Sequence, residues 1–573
     1  MLSKKTNSKL LMVGALAGAT AAAAAIYGSK KCKDNKEIKE NTFVFRDHGD
    51  KQAYFIGGGL GSMAGAAYLI RDCDFKGENI HIIEGMEILG GSNDGAGNVQ
   101  NGFVCRGGRM LNEETYENFW ELFSTIPSIE NEKVSVTEEI LNFDHQHPTR
   151  AQARLIDKYG IIQDVKSMGF DSKDRMALGK LMVTSEDRLD NMTIEEWFKD
   201  TPHFFKTNFW YMWQTTFAFQ KWSSLFEFKR YMERMIFEFP RIETLEGVTR
   251  TPYNQYDSVI LPIKAYLENA NVDFSIKCRV TDLDFKNNDG ITVTGIHCER
   301  DGEEDIIQLN SGDICIMTNG CMTDCATLGD LTTPAEYKPE NPISGELWAK
   351  VAAKKPGLGN PEPFFNHPEE TNWESFTVTC KGDKFLKMIE KFSGNIPGSG
   401  ALMTFKDSNW LMSIVVAAQP HFKNQHVGTT IFWGYGLFTE KEGNFIKKLM
   451  RDCTGEEMLT ELIYHLHFED NEEEIKESIV NVIPCMMPYI DSQFQPRAKS
   501  DRPEVVPKGS TNFAMISQFV EIPEDMVFTE EYSVRAARIA VYKLLGINKE
   551  ICPVTPYKRD PKVLKTALAT SYR

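Results

Sequence analysis

With 573 residues, 42% of them hydrophobic, the chain has material for several domains and a large core. A formal net charge of −17 excludes nucleic acid as a partner, although local basic patches can still dock on a membrane. The twelve cysteines form neither a CxxC framework nor a zinc spacing, which points to reduced thiols in a cytosol-facing protein and to no metal.

At the N-terminus, Lys4, Lys5 and Lys9 precede an uncharged stretch, residues 10–28, and Lys30, Lys31 and Lys33 follow it. Its length suits a membrane anchor or interfacial helix, a cleaved signal peptide, or a soluble helix, and lysines on both sides leave its orientation open. The placement this favours is the cytoplasmic side of the membrane, peripheral or anchored by residues 10–28. Residues 34–50 are charged and read as a linker.

The stretch 53–84 is the most informative part of the chain. A short apolar run, 53–56, reads as a buried strand, and Gly57, Gly58, Gly59 and Gly61 follow at once. A small-residue helix pattern then runs to about residue 72, followed by a second apolar run, 80–83, and an acid, Glu84. This is the order of a βαβ dinucleotide-binding unit, in which glycines admit a pyrophosphate to the helix N-terminus and the acid accepts a ribose hydroxyl. Glu84 lies 27 residues after Gly57, and Ser62 stands where the last glycine of G-x-G-x-x-G is usual; serine is small enough for close helix–strand packing. Gly90, Gly91 and Ser92 follow and offer further backbone N–H groups.

Residues 113–200 look mainly helical, with a helix over 193–199 behind an N-cap candidate. Residues 203–240 are the most aromatic stretch, from Phe204 and Phe205 through Phe209, Trp210, Tyr211, Trp213, Phe217, Phe219 and Trp222 to Phe226 and Phe228. Such a block either lines a tunnel for a long apolar ligand or is ordinary core. Strands are expected over 272–285 and 291–297, with a turn at 287–290, and over 313–319, ending in Asn319-Gly320. Further strands are expected near 411–418 and 429–435, and helices near 456–465 and 472–481. A last strand, 513–520, carries Ser517 and Gln518 near its end, and a helix follows over 529–545. His465 and His467, two apart, do not share a helix face and read as structural. In the tail, 560–573, Lys562, Lys565 and Arg573 alternate with Val563, Leu564 and Leu568, the pattern of an amphipathic helix suited to anionic lipid or of a plain surface helix.

This order implies discontinuous domains. Residues 1–50 are the N-terminal hydrophobic segment and linker. Residues 51–112, 241–335 and 500–550 assemble a cofactor domain, 113–240 and 336–499 a substrate lobe, and 551–573 a tail with possible membrane contact.

Eight stretches in this order carry a resemblance: GGSNDGAGN (90–98), GFVCRGGR (102–109), TTFAFQKW (215–222), EFKRYMERM (227–235), TLEGVTRTPYNQYDS (244–258), QPHFKNQ (419–425), WGYGLF (433–438) and ISQFVEIPEDMVFTEEYSVRAA (516–537). From about residue 50 to its end the chain resembles the oleate hydratases, also called the myosin-cross-reactive antigen family. The resemblance implies an α/β fold, a two-dinucleotide-binding-domain flavoprotein with a Rossmann-like FAD domain, a discontinuous mixed α+β substrate domain and a C-terminal helical tail. It implies a hydro-lyase that adds water to the cis-9 double bond of oleate and related unsaturated fatty acids, giving 10-hydroxy fatty acids, with FAD in a non-redox role. It also implies a substrate drawn from membranes and a possible homodimer.

Alkene hydration needs a proton delivered to one carbon and a water held against the other. By resemblance Tyr231 is the proton donor. The glutamate that activates water in the family directly follows RGGR, and here Arg106-Gly107-Gly108-Arg109 is followed by Met110, whose thioether cannot take a proton. The distance from Arg109 to Tyr116, Glu117 and Trp120 is also one residue longer than the family pattern. Glu113 or Glu114 could fill the place, or flavin and backbone groups could hold the water alone. Arg106 and Arg109, on their glycine turn, suit flavin or loop positioning. Gln255 and His421 match residues that hold the fatty-acid carboxylate, whereas two usual partners, a threonine and an asparagine, fall on Val415 and Ala417. Val280, on a middle strand, matches an adenine contact, and Asn319, Ser517 and Gln518 match later flavin contacts. The missing acid keeps two other readings open: an FAD-dependent oxidoreductase of the amine oxidase or desaturase-like type, and a non-catalytic flavin-bound lipid carrier.

Overall fold

The computed structural model describes residues 49–573 apart from 94, 107–109, 288–289 and 400–401. The expectations for residues 10–28, Gly107, Gly108 and Arg109 therefore lie outside the described residues.

The first layer is a five-stranded parallel sheet of β1 (Ala53–Ile56), β2 (Ile80–Ile83), β3 (Asp273–Ser275), β4 (Ile314–Thr318) and β5 (Phe513–Ile516), in the order β5-β4-β1-β2-β3. Its inner strands are mainly apolar, His81 in β2 being the exception, as expected of a parallel sheet within the core. Phe55, Ile80, Ile82, Cys315, Ile316 and Met317 are wholly buried. From β1 the chain builds outward first to β2 and β3 and later, on the other side, to β4 and β5. The C-terminal ends of β1 and β4 are thus a topological switch point, where parallel α/β sheets open a crevice for ligands.

The helix α1 (Leu60–Cys73) leaves that crevice and packs along α4 (Glu530–Leu545). Its small residues are required by contact: a Cβ on Gly65 would stand 2.5 Å from the Phe55 ring. The expected strand 272–285 is in fact two strands in two sheets. At Lys277 the backbone turns left-handed, with φ of 54°, and the chain leaves the parallel sheet to begin a three-stranded antiparallel meander of Cys278–Phe285, Val293–Arg300 and Glu303–Gln308.

The second layer is a seven-stranded mixed sheet in the order Thr327–Leu328, Ile479–Met487, Trp373–Lys381, Thr429–Gly436, Ser413–Val415, Leu402–Phe405 and Leu155–Ile156. Two of its strands correct the sequence reading. The helix expected over 472–481 ends at Ser478, and the β-branched run from Ile479 pairs antiparallel with Trp373–Lys381 instead. Leu155–Ile156, inside the stretch read as helical, adds a parallel edge to Leu402–Phe405. Phe376, Val378, Ile414 and Phe432 pack under the helix Gly455–His465, whose start is fixed by a Thr454–Glu457 capping box.

The aromatic stretch forms α2 (Asn208–Phe217) and α3 (Leu225–Arg234). A buried ion network ties α3 to α4: Asp525 bridges Arg234 (3.3 Å) and Arg535 (2.8 Å), and Glu117 reaches both at 2.6 and 3.0 Å. Removing Asp525 leaves two buried guanidinium groups to share Glu117, with Glu531 beside Arg535, and so undercompensates their charge. Asp525→Ala is therefore expected to destabilise the protein by about 3–5 kcal/mol, read by calorimetry as a lowered unfolding temperature. An unchanged transition would show that solvent compensates the two arginines.

The tail forms α5 (Pro561–Thr570), capped by Asp560. It packs on residues 236–241 and leaves Leu564 and Leu568 exposed. No helix among the described residues is long and apolar enough to cross a membrane.

Candidate active site

The glycine loop after β1 is held from both sides. Gly57, with φ of 96°, donates its N–H to the Ile83 carbonyl (2.8 Å), and Gly58 donates to Glu84 Oε2 (2.6 Å). Gly59 is the N-cap of α1; no side chain caps the helix and its first turn carries no acid. Its N-terminal N–H groups are thus left to an anion. A Cβ on Gly59 would meet only Gly91 Cα, at 3.9 Å, so the loop and the next turn face each other across a narrow gap. Gly61 allows α1 to approach Ile516 and Ser533, and Ser62 is fully buried with its Oγ unbonded.

Gly90 donates to the Gly58 carbonyl (2.9 Å), and Gly90 and Gly91 both have positive φ, which brings Ser92 beside the loop. Glu84 sits where the sequence places it, at the end of β2, with its second carboxylate oxygen taken by the Met86 N–H. Asn319, just past β4, accepts from Ser517 Oγ (2.7 Å) and donates to the Phe519 carbonyl. Gln518 donates to the Thr529 carbonyl and Ser533 Oγ, both at 2.8 Å. These three side chains hold the 517–529 loop against the crevice. Arg106 donates to the Thr323 carbonyl (3.4 Å), and Val280 lies on the meander strand that starts beside Glu84.

Next to this crevice is a mainly apolar cavity whose wall includes Met110, Tyr231, Gln255, Val415, Ala417 and His421. Residues scattered over more than three hundred positions are thus brought together. Tyr231, on α3, is buried among the edges of Phe217, Phe219 and Phe494, and its hydroxyl donates to the Val527 carbonyl at 2.5 Å. Burial pushes its phenol well above the usual tyrosine range, so it stays protonated at neutral pH. Gln255 donates to Thr251 Oγ1 (3.2 Å). His421 receives nothing at Nε2, and burial together with the Arg250 charge lowers its imidazole to about 4, so the ring is neutral.

The MCRA family model matches residues 50–542. The chain belongs to the MCRA family. Among curated relatives it is 41% identical over 559 residues to a linoleate hydratase of Lactiplantibacillus plantarum, covering 90% of this chain and 97% of that one. It is 37% identical over 541 residues to an oleate hydratase of Streptococcus pyogenes, covering 90% and 91%. Among solved structures, cyclohexylamine oxidase from Brevibacterium oxydans aligns at a TM-score of 0.49 and 11% identity, over 87% of this chain and 99% of that one.

In this MCRA chain the aromatic block is mainly core. Phe217 alone of its members reaches the cavity, while Phe204, Phe209, Trp210, Trp213, Phe219 and Phe228 are buried against one another and Phe226 is buried under the Arg230 and Arg497 guanidinium groups. Neither acid offered as a replacement at position 110 lines the cavity. Glu114 pairs with Arg241 (3.1 Å), and Glu113 faces His145 (3.6 Å) from a half-exposed position. Their partners, Arg241 and His145, do not line the cavity either.

Three cavity residues escaped the sequence reading. Glu238 is held by Asn112 Nδ2 (3.0 Å) and Arg241, with Gly247 leaving room for its carboxylate; burial raises its pKa despite both partners. Glu530 is the first residue of α4, buried, and accepts from Asn93 Nδ2 at 2.6 Å. Arg250 lies on the loop before Gln255. No local pattern marks any of the three: each is a single charge whose setting is made by residues remote in sequence. Asp171, Asp174 and His203 bring ligand-type atoms within 4.8 Å, but Asp171 and Asp174 form the capping box of the helix Ser172–Met182, and Thr201 and His203 sit on Asp174.

Proposed function

We propose that this MCRA protein is a fatty-acid hydratase, adding water to the cis-9 double bond of oleate-like acids with FAD in a non-redox role. The observation that carries the reading is one apolar cavity, beside a glycine-rich nucleotide crevice, that joins a buried protonated tyrosine to Gln255 and His421. The hydratases of L. plantarum and S. pyogenes support it.

The crevice fits a flavin dinucleotide, since its helix N-terminus has neither cap nor acid and its glycines leave the approach open. Gly57, Gly59, Gly61 and α1 would hold the pyrophosphate, with Ser62 packing behind them. Glu84 would take a ribose hydroxyl, the Val280 backbone the adenine, and Gly90, Gly91, Ser92 and Arg106 the flavin end. Asn319, Ser517 and Gln518 shape the loop that closes this end. When bound, FAD supplies shape and charge near the alkene and no net electrons. On this reading residues 51–112, 241–335 and 500–550 are the FAD domain, and 113–240 with 336–499 the substrate lobe. The exposed leucines of α5, beside Lys562 and Lys565, provide a membrane contact through which lipid is taken up.

The chemistry at the alkene belongs to the chain's own residues. Tyr231 gives its phenolic proton to one alkene carbon, and the π pair forms the C–H bond. Water oxygen bonds to the other carbon as cationic character develops there. Glu530 takes the proton that water releases, and that proton returns to the Tyr231 oxygen through solvent, so the enzyme is restored. Glu530 is better placed than Glu238 for this. It lies three residues after Val527, whose carbonyl holds the Tyr231 hydroxyl, whereas Glu238 is engaged by Arg241. The α4 N-terminus also favours its negative charge, which steadies a neighbouring cation.

FAD-loaded protein incubated with oleate in H2-18O is expected to give hydroxystearate carrying oxygen-18. Hydrogen peroxide or a dehydrogenated product would instead establish redox chemistry, and tight oleate binding with neither product a carrier.

A further inference from the structure

Glu238 places a charge in the wall of a cavity that is otherwise mainly apolar. Its carboxylate is buried, and Ile242, Leu245 and Val248, which share the wall with it, are hydrocarbon. Two side chains fix its position. Asn112 Nδ2 donates to Oε1 (3.0 Å), and Arg241 donates to both oxygens, from Nε to Oε2 at 3.1 Å. Gly247 reserves the space, since a Cβ there would overlap both carboxylate oxygens.

A carboxylate offers about four acceptor sites. The donors from Asn112 and Arg241 fill two on Oε1 and one on Oε2, and among the described residues no further donor reaches Oε2. Asn112 also lines the cavity, but its Oδ1 already accepts from the Glu114 N–H and from the Thr115 N–H and Oγ1. Glu238 is thus the acceptor that this part of the wall presents. A hydrocarbon tail laid against it would exclude water and return no hydrogen bond, which is costly for a charged acceptor. A hydroxyl on that tail would donate to Oε2 and remove the cost.

We infer that Glu238 accepts a hydroxyl carried on the ligand's acyl chain, so that the protein prefers unsaturated acids that already hold a hydroxyl away from the double bond over acids with a plain tail. The inference rests on the proposed fatty-acid reading, and deepens it by naming the substrate class. Water added across the double bond of such an acid gives a dihydroxy acid, with no other reactant. A neutral donor suits the site better than an ammonium group, because Arg241 already balances the Glu238 charge and a second cation would be buried without a counter-ion.

The test uses the FAD-loaded full chain and saturated probes that cannot be hydrated: stearate and 7-, 9-, 12- and 14-hydroxystearate, with binding followed by displacement of a fluorescent fatty acid. The 10-hydroxy acid is left out because a hydratase of oleate must hold that hydroxyl as its own product. At least one hydroxystearate is expected to bind the parent protein about 10-fold more tightly than stearate. Glu238→Leu is expected to lose that preference, the hydroxystearate weakening about 10-fold while stearate binds equally well or better against a wall now apolar. Glu238→Gln keeps an acceptor oxygen and is expected to retain most of the preference. A parent that holds stearate as tightly as every hydroxystearate would overturn the inference without any variant having to fold. So would a Glu238→Leu protein that keeps the preference, or that loses all the probes equally. A parent that hydrates oleate but ignores chain hydroxyls would sink this inference alone, whereas one that binds a hydroxystearate through Glu238 and makes no hydroxy acid from oleate would sink the hydratase reading and leave this one standing.

Discussion

Tyr231→Phe is expected to slow oleate hydration by about 10²–10⁴-fold, the range of a lost general acid. The ring stays among Phe217, Phe219 and Phe494, so the packing of α3 survives. The loss to the fold is one buried hydrogen bond, to the Val527 carbonyl, worth about 1 kcal/mol net. Stearate binding and the unfolding transition should therefore change little while product formation, followed by mass spectrometry, collapses. Retained turnover would remove Tyr231 from the chemistry. The pH dependence carries a sign of its own. An acid must be protonated to act, and burial raises this phenol, so the alkaline loss of activity should fall above the ordinary tyrosine value of about 10. A limb well below that value would belong to another group.

The second large effect is expected at Glu530. Glu530→Gln keeps an oxygen for the Asn93 amide and so keeps the contact that orients the side chain, but it cannot take a proton. A fall in kcat of about 10²–10³-fold with KM nearly unchanged is the expected result. Glu238→Gln should have a much smaller effect, because that carboxylate is already bound by Arg241 and Asn112. Adding Met110→Glu to Glu530→Gln should restore part of the rate, since it returns a carboxylate to the cavity wall from the other side. If Glu238→Gln is the damaging change, or if Met110→Glu rescues nothing, water is activated elsewhere.

The strand, glycine loop and helix that border the crevice were readable from a short stretch because their physics is local. An apolar run, a cluster of glycines, a small-residue helix and an acid stand in order from Ala53 to Glu84, and each meets its partner within that stretch or close to it. Where pairing is remote, the reading failed in detail. The run from Ile479 has helix-compatible polarity before it and is strand only because Trp373–Lys381 offers a ladder about a hundred residues away. Leu155–Ile156 becomes an edge strand for the same reason. The break at Lys277 is invisible in apolar content and is decided by which sheet accepts the next hydrogen bonds.

The candidate site divides in the same way. The resemblance to the oleate hydratases pointed to Tyr231 as proton donor and to a missing acid at Met110, and residue type made both legible, since a phenol can give a proton and a thioether cannot take one. Whether an aromatic side chain faces a ligand or its neighbours is not a property of its own sequence, and of the 204–228 aromatics only Phe217 reaches the cavity, most of the others being buried in the core. Likewise, Glu530 acquires its meaning only from what surrounds it: a carboxylate set on a helix end beside the tyrosine loop. Sequence by itself determined the local nucleotide loop and the inventory of reactive groups. Tertiary structure alone decided which of those groups share a cavity and how each is buried and paired there, because burial and electrostatic pairing depend on distances that chain order does not encode.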